Sequence, residues 1–229
     1  MFHSLKKTIK SSLIPVCLPI RSGPLAGMKW SITSGVRFLR GEYSQPEIAF
    51  YSEQINEGDC VLDIGAHVGY MAALYSQLVG TKGQVYAFEP NPLNVKAIKH
   101  HLCINGLCNI KFLEYGIGEH CKQDSFDDSP GSGRGRICDR GDVTINTTSV
   151  DHLHESGQIP KAQFIKMDIE GGEIGALQGA KNYLSRYRPT MLISTHGRKA
   201  HRFSLDFLKD IGYQTQMFGK STNRVIATK

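Results

Sequence analysis

Three short segments of the chain carry side chains at spacings that suit chemistry. The first is Asp63-Ile64-Gly65-Ala66-His67-Val68-Gly69-Tyr70, an acid closing an apolar run, then a glycine turn, then the start of a helical stretch. The second is Val85-Tyr86-Ala87-Phe88-Glu89-Pro90, which sets a carboxylate 26 residues after Asp63. The third is Ile165-Lys166-Met167-Asp168-Ile169-Glu170-Gly171-Gly172-Glu173, followed at a distance by Ser194-Thr195-His196-Gly197. A glycine turn after a buried strand lets a ligand approach the backbone, and the helix that follows offers unpaired N–H groups. That is the arrangement of a nucleoside-cofactor site.

The turn also says which nucleoside. A dinucleotide fingerprint, GxGxxG, with its first glycine on Gly65 demands Gly at 67 and Gly or Ala at 70. The chain has His67 and Tyr70, which crowd the place a pyrophosphate needs. An NAD-linked oxidoreductase is therefore disfavoured. No GxxxxGK[ST] occurs, so a phosphate-cradling loop is absent as well. S-adenosylmethionine carries no phosphate and relaxes these demands. Asp63 can attract its ammonium, directly or through water, and Glu89 can accept both ribose hydroxyls. Either acid alone could be a strand-end or capping residue. The two together, on adjacent strands, favour the cofactor.

Methyl transfer is an in-line displacement at a sulfonium, accelerated by positioning and, for an alcohol, by a general base. Period-two alternation puts Lys166 and Asp168 on one face of their strand. Asp168, at the strand's carboxyl end beside a glycine pair, is the first candidate for acceptor positioning and proton removal. His196 has the better intrinsic pKa and is the second candidate, though an inert exposed histidine fits that place equally. Lys166 in an apolar strand needs a partner, expected in Asp168 or Glu173. Glu173 reads as a structural first-turn acid. Asp168 and Glu170 could ligate a metal through oxygen. No third carboxylate or Asn follows the fifth strand, so no metal is expected.

On these motifs the chain resembles the FkbM-type methyltransferases, class I S-adenosylmethionine-dependent enzymes. The resemblance runs from about residue 41 to residue 196. It also takes in Phe88-Glu89-Pro90-Asn91-Pro92 with Asn94, and Thr148-Ser149-Val150-Asp151 with Leu153; the Ile165–Glu173 segment is its most specific part. It implies methyl transfer to a hydroxyl, or a carboxylate, of a small molecule or sugar. The fold implied is a seven-stranded sheet with an antiparallel seventh strand. The implied cofactor-binding residues are Asp63, Gly65, Ala66, His67, Gly69, Tyr70, Glu89, Pro90, Asn94, Tyr115, Gly116 and Asp168. The implied catalytic residues are Asp168, Glu170, His196 and Lys166. Two departures stand out: the family usually has Asn at the position of His67, and Glu where this chain has Ser194. A non-catalytic cofactor-binding module of the same fold is the alternative.

The elements that must position these groups alternate strand and helix. Helical character spans Pro46–Gln54, Tyr70–Leu78, Leu93–Leu102, Glu173–Leu184 and Leu205–Ile211. Strands are expected at Cys60–Asp63, Gln84–Glu89, Asn109–Tyr115, Phe164–Asp168 and Thr190–Ser194, with a hairpin from Tyr213–Phe218 and Arg224–Thr228. This is an α/β, doubly wound, mainly parallel Rossmann-like sheet with an antiparallel terminal hairpin. Residues 121–147, rich in Asp, Ser, Gly and Arg, read as a long loop whose Arg134, Arg136 and Arg140 could clamp an anionic acceptor.

Residues 1–40 read as an extension of the domain at 41–229. Residues 1–41 hold seven Lys/Arg and no acid, leaving 20 basic and 21 acidic residues in the rest of the 229. The body thus lacks the basic stripe of a nucleic-acid binder. Phe2, Leu5, Ile9 and Leu13 recur at helical spacing. Such a helix could dock on a membrane surface through residues 1–20, but packing on the body or on a second subunit of a homodimer is preferred. No run reaches the length of a membrane span. Six sparse cysteines fit reduced thiols in the cytoplasm. His100, His101, Cys103, Cys108, His120 and Cys121 cluster in sequence, without zinc-site spacing, and read as ordinary buried thiols and exposed histidines.

Overall fold

The computed structural model describes residues 2–42, 45–128, 135–138 and 141–229. In chain order the arm contributes α1 (Phe2–Leu13), β1 (Cys17–Pro19), β2 (Lys29–Ser31), a 3-10 turn (Ile32–Ser34), α2 (Val36–Arg40) and α3 (Gln45–Gln54). Strand–helix units follow: β3 (Cys60–Ile64), α4 (Tyr70–Val79), β4 (Gln84–Phe88), α5 (Pro92–Ile104) and β5 (Ile110–Leu113). Next come β6 (Gly116–Ile117), β7 (Lys122–Asp127), β8 (Arg136–Ile137), β9 (Val143–Thr148) and α6 (Val150–Glu155). The chain closes with β10 (Phe164–Met167), α7 (Glu173–Gln178), α8 (Lys181–Tyr187), β11 (Thr190–Ser194), α9 (Arg198–Asp210), β12 (Gln214–Met217) and β13 (Arg224–Thr228).

The main sheet has seven strands in the order β12-β13-β11-β10-β3-β4-β5. β11, β10, β3, β4 and β5 are parallel, and β13 runs antiparallel to both its neighbours. The expected sheet and its terminal hairpin are therefore present. Alternate residues serve opposite faces. Val61, Ala87 and Phe164 pack under α4, together with Leu25 and Trp30 of the arm. Leu62, Phe88 and Ile165 pack toward Leu177 and Leu184 of α7 and α8. The strand order reverses between β3 and β10, so a crevice is expected beyond their carboxyl ends.

Several expectations need correction. The helix read over 173–184 is two helices, α7 and α8, separated at Gly179-Ala180. Gly179 lies so close to the main chain that a Cβ there would sit 2.2 Å from the carbonyl oxygen of Gly118. Residues 121–147 are not one loop: β7 and β9 pair antiparallel in a four-stranded sheet with β6 and β8. Burial of Phe126 and Ile145 pins that sheet despite its polar composition. Arg136 is exposed on β8, and Arg134 and Arg140 lie outside the described residues. The last helix begins at Arg198 instead of Leu205. The helix at residues 2–13 forms, yet its apolar stripe does not face the body. Leu5, Ile9 and Leu13 are exposed, while Lys7 and Ser11 make the contacts to the body.

Candidate active site

The floor of the crevice is an ion pair. Asp63 and Lys166 are partners in the β3–β10 register, and Lys166 Nζ lies 3.3 Å from Asp63 Oδ1. Lys166 also donates to the carbonyl oxygen of Gly65 at 2.7 Å. Asp63 is fully buried; burial pushes its carboxyl above the usual range and the Lys166 ammonium opposes that shift. The expected partners of Lys166, Asp168 and Glu173, are corrected to Asp63, because parallel neighbours align by register and not by proximity in sequence. Asp63 is thereby a buttress of the turn, sealed beneath it, and does not line the clefts above.

The turn itself is tight. Gly65 has φ of +82°, and a Cβ there would lie 2.1 Å from the carbonyl oxygen of Asp168. No other residue fits that approach. His67 adopts φ of +54°, a left-handed conformation that Asn and His tolerate better than most side chains. Burial holds its imidazole down at about 4, so it is neutral. The amides of Gly65 and Ala66 donate to the carbonyl oxygen of Phe88, and that of His67 donates to Glu89 Oε2 at 2.9 Å. The amides at the turn thus tie β3 to β4.

Glu89 is the other wall. Its Oε1 accepts from the Asn91 amide at 2.9 Å and from Asn94 Nδ2 at 3.2 Å. Burial pushes its pKa to about 7 against those hydrogen bonds. Glu89, Pro90, Tyr115 and Gly116 line a cleft of about 580 Å³, closed by Phe126 and Ile137 of the small sheet. A second cleft of about 500 Å³ is lined by Phe38, Ala66, Tyr70 and Lys166. Gly65, His67, Asp168 and Glu170 line both, so the clefts meet at those four residues.

A corner of acids and one imidazole stands at that junction. His196 Nδ1 lies 2.7 Å from Glu173 Oε1, and Glu173 is fully buried. His196 Nε2 lies 3.6 Å from both Asp168 Oδ1 and Glu170 Oε2, beyond hydrogen-bonding range. The bond to Glu173, reinforced by Glu170 and Asp168, raises the imidazole pKa against partial burial. With Glu173 accepting at Nδ1, the tautomer is set and Nε2 faces the cleft residues. Glu170 has φ of +53°, a strained conformation that non-glycine residues hold mostly at functional turns. Asp168, Glu170 and His196 can place ligand atoms within 4.8 Å of one another, so this corner could hold a divalent cation.

The structure therefore gathers Gly65, His67, Glu89, Pro90, Tyr115, Gly116, Asp168 and Glu170 around one cleft, with Ala66, Tyr70 and Lys166 on the adjoining one. Gly69 caps α4 and Asn94 steadies Glu89, both away from the cleft walls. Sequence reasoning missed the pairing of Glu173 with His196. An acid in a first helical turn explains itself locally, and nothing in the spacing signals a partner 23 residues on. His101 is fully buried, stacked on Trp30 with ring centroids 3.9 Å apart, and bonded to Ser31 N and Val68 O. It locks the arm to the body and corrects the expectation of an exposed histidine, while Cys103, Cys108 and Cys121 are exposed instead of buried.

The profile of the methyltransferase FkbM domain matches residues 63–215. The hexuronic acid methyltransferase AglP of Haloferax volcanii is 35% identical over 151 residues, 65% of this chain and 60% of that protein. The chain thus spans about three-fifths of that relative's length. A methyltransferase FkbM from Methylobacillus flagellatus superposes with a TM-score of 0.55 at 20% identity, over 84% of this chain and 52% of that one. Fibrillarin of Aeropyrum pernix, solved with natively bound S-adenosyl-L-methionine, superposes with a TM-score of 0.51 at 13% identity, over 79% and 72%. At these identities the superpositions speak to the fold.

Proposed function

The chain belongs to the FkbM methyltransferase family of S-adenosylmethionine-dependent proteins, and from that premise we propose that it methylates a hydroxyl oxygen of a sugar-like acceptor. The observation that carries this reading is the junction of the two clefts at Gly65, His67, Asp168 and Glu170, with the Glu173–His196 pair beside it. The residues suit the cofactor. Glu89 offers carboxylate lone pairs in a cleft of about 580 Å³, and the Gly65 turn forms part of the wall of both clefts. S-adenosylmethionine, when bound, supplies an electrophilic methyl group on sulfur. Asp168 orients the acceptor hydroxyl. Neutral His196 takes its proton at Nε2, and buried Glu173 holds the resulting imidazolium. With the cofactor held there, the acceptor oxygen would gain the methyl carbon as the sulfur–carbon bond broke, with S-adenosylhomocysteine as the leaving product. A sugar acceptor draws on the Haloferax volcanii relative, whose name specifies a hexuronic acid.

Calorimetry with S-adenosylhomocysteine, and transfer of labelled methyl groups to a panel of hydroxylated sugars and hexuronic acids, test the proposal. Product binding and label on a sugar oxygen are expected. Tight NADH binding without S-adenosylhomocysteine binding ends the reading. Product binding without turnover on any acceptor favours a non-catalytic cofactor-binding module.

A further inference from the structure

Helix α1 is amphipathic and mounted with its polar side toward the body. Lys7 Nζ reaches Asp128 Oδ1 at 2.6 Å, Lys96 Nζ donates to Ser11 Oγ at 2.7 Å, and Lys10 is half-buried. The opposite side carries Leu5, Ile9 and Leu13, which are 58%, 50% and 39% exposed. The stripe continues past the helix. The Val16 amide donates to Leu13 O, and the Ile32 amide donates to Val16 O, which sets exposed Val16 and Ile32 beside it. Val36 follows on α2 at 60% exposure. Seven of the nine exposed large hydrophobic residues described in the chain fall before residue 40. Burial cannot explain that concentration, because soluble surfaces scatter such residues singly.

The same stretch is strongly cationic. Its seven Lys/Arg are accompanied by no acid, and Lys6, Lys29 and Arg37 are exposed beside the apolar side chains. We infer that α1 and the adjoining turn dock on an anionic lipid surface, with Leu5, Ile9 and Leu13 entering the headgroup–acyl boundary. An apolar stripe flanked by lysines is the form that lies in a bilayer interface, drawn there by anionic headgroups. A second copy suits the patch less well. Two-fold pairing of this side would set Lys6, Lys29 and Arg37 against their own copies, a like-charge contact that opposes association.

Full-length protein sedimented with vesicles tests this. Vesicles containing about one-third phosphatidylglycerol should bind at least about tenfold more tightly than pure phosphatidylcholine, and added salt should weaken the difference. The double variant Leu5→Glu/Ile9→Glu should lose about tenfold or more of that binding, since it removes the inserting groups. Its S-adenosylhomocysteine affinity should stay within about twofold, because neither residue lines the clefts and the fold check is independent of lipid. Equal binding to both vesicle types, no binding to either, or unchanged binding by the variant overturns the inference. So does a dimer in light scattering that the same variant abolishes while vesicles bind nothing; the stripe would then belong to a second copy.

Discussion

Asp63 and Lys166 meet at 3.3 Å under the glycine turn, almost sealed from water, whereas His196 stands 3.6 Å from Asp168 and Glu170 on a rim that water reaches. The first pair is made by register within the sheet. The second group is made where the loop from β10 to α7, the first residue of α7 and the loop from β11 to α9 converge. A buried pair without slack serves the scaffold, since either charge alone would be costly there. Groups held just beyond hydrogen-bonding distance leave room for a reacting hydroxyl to complete the contacts. Damage to the floor should therefore register as lost stability, and damage to the rim as lost rate.

The floor offers the largest effect. Lys166→Ala leaves Asp63 buried without its counter-ion and the Gly65 carbonyl without its donor. Denaturant unfolding should show a loss of about 3–5 kcal/mol. A loss under 1 kcal/mol would mean that Asp63 is comfortable without the ammonium, and the contrast between floor and rim would collapse.

At the rim, His196→Ala should lower kcat by about 10²-fold or more while S-adenosylhomocysteine affinity barely changes. Asp168→Asn should also lower kcat, with cofactor affinity kept within about tenfold, as it retains shape and loses charge. If Asp168→Asn abolishes turnover while His196→Ala stays active, the proton goes to the carboxylate and the imidazole is a bystander.

How far these two corners could be read from the chain follows from how each is built. The glycine turn, Glu89 and the order of strands and helices are local patterns, and they stand where the residues place them. The Asp63–Lys166 pair depends on which strands are neighbours, a property of topology that spacing along one strand does not contain. Glu173 and His196 meet because α7 starts beside the end of β11, so an acid that looked like a helix-terminus residue orients the base. The small sheet over the cleft was hidden by polar composition, since in β7 and β9 the buried apolar side chains among the described residues are Phe126 and Ile145. In α1 the period was legible and the orientation was not. Which side packs is decided by Asp128 and Lys96, residues remote in the chain.

Between floor and rim lies Glu89, buried like the floor but facing the cleft. Its folded pKa of about 7 exceeds the ordinary 4.5, so in the unliganded protein its contribution to stability is full below pH 4.5 and is lost as pH rises through 7. Cofactor binding should run the other way, because the ionised carboxylate is the better acceptor for ribose hydroxyls. Calorimetric Kd for S-adenosylhomocysteine should rise as pH falls below about 7, by at most about tenfold per unit. Glu89→Gln should flatten that dependence. A flat profile in the unmodified protein would remove Glu89 from the cofactor contacts.

The smallest effect expected is that of chelation, and it sharpens what kind of rim this is. Asp168, Glu170 and His196 can present one ligand atom each to a divalent cation. The same geometry serves a proton instead: with Glu173 accepting at Nδ1, the Nε2 lone pair is left for the acceptor's proton, and the two carboxylates offset the imidazolium that then forms. A bound cation would compete with that proton for Nε2 and remove the base on which the proposed transfer relies. Turnover measured after dialysis against EDTA should therefore remain within about twofold of the untreated protein, within the error of comparing two rate measurements. Activity lost to EDTA and restored by Mn²⁺ or Mg²⁺ would reassign the corner. Asp168, Glu170 and His196 would then be ligands of a Lewis acid that activates the acceptor oxygen, and Glu173 the group that orients the metal-binding imidazole.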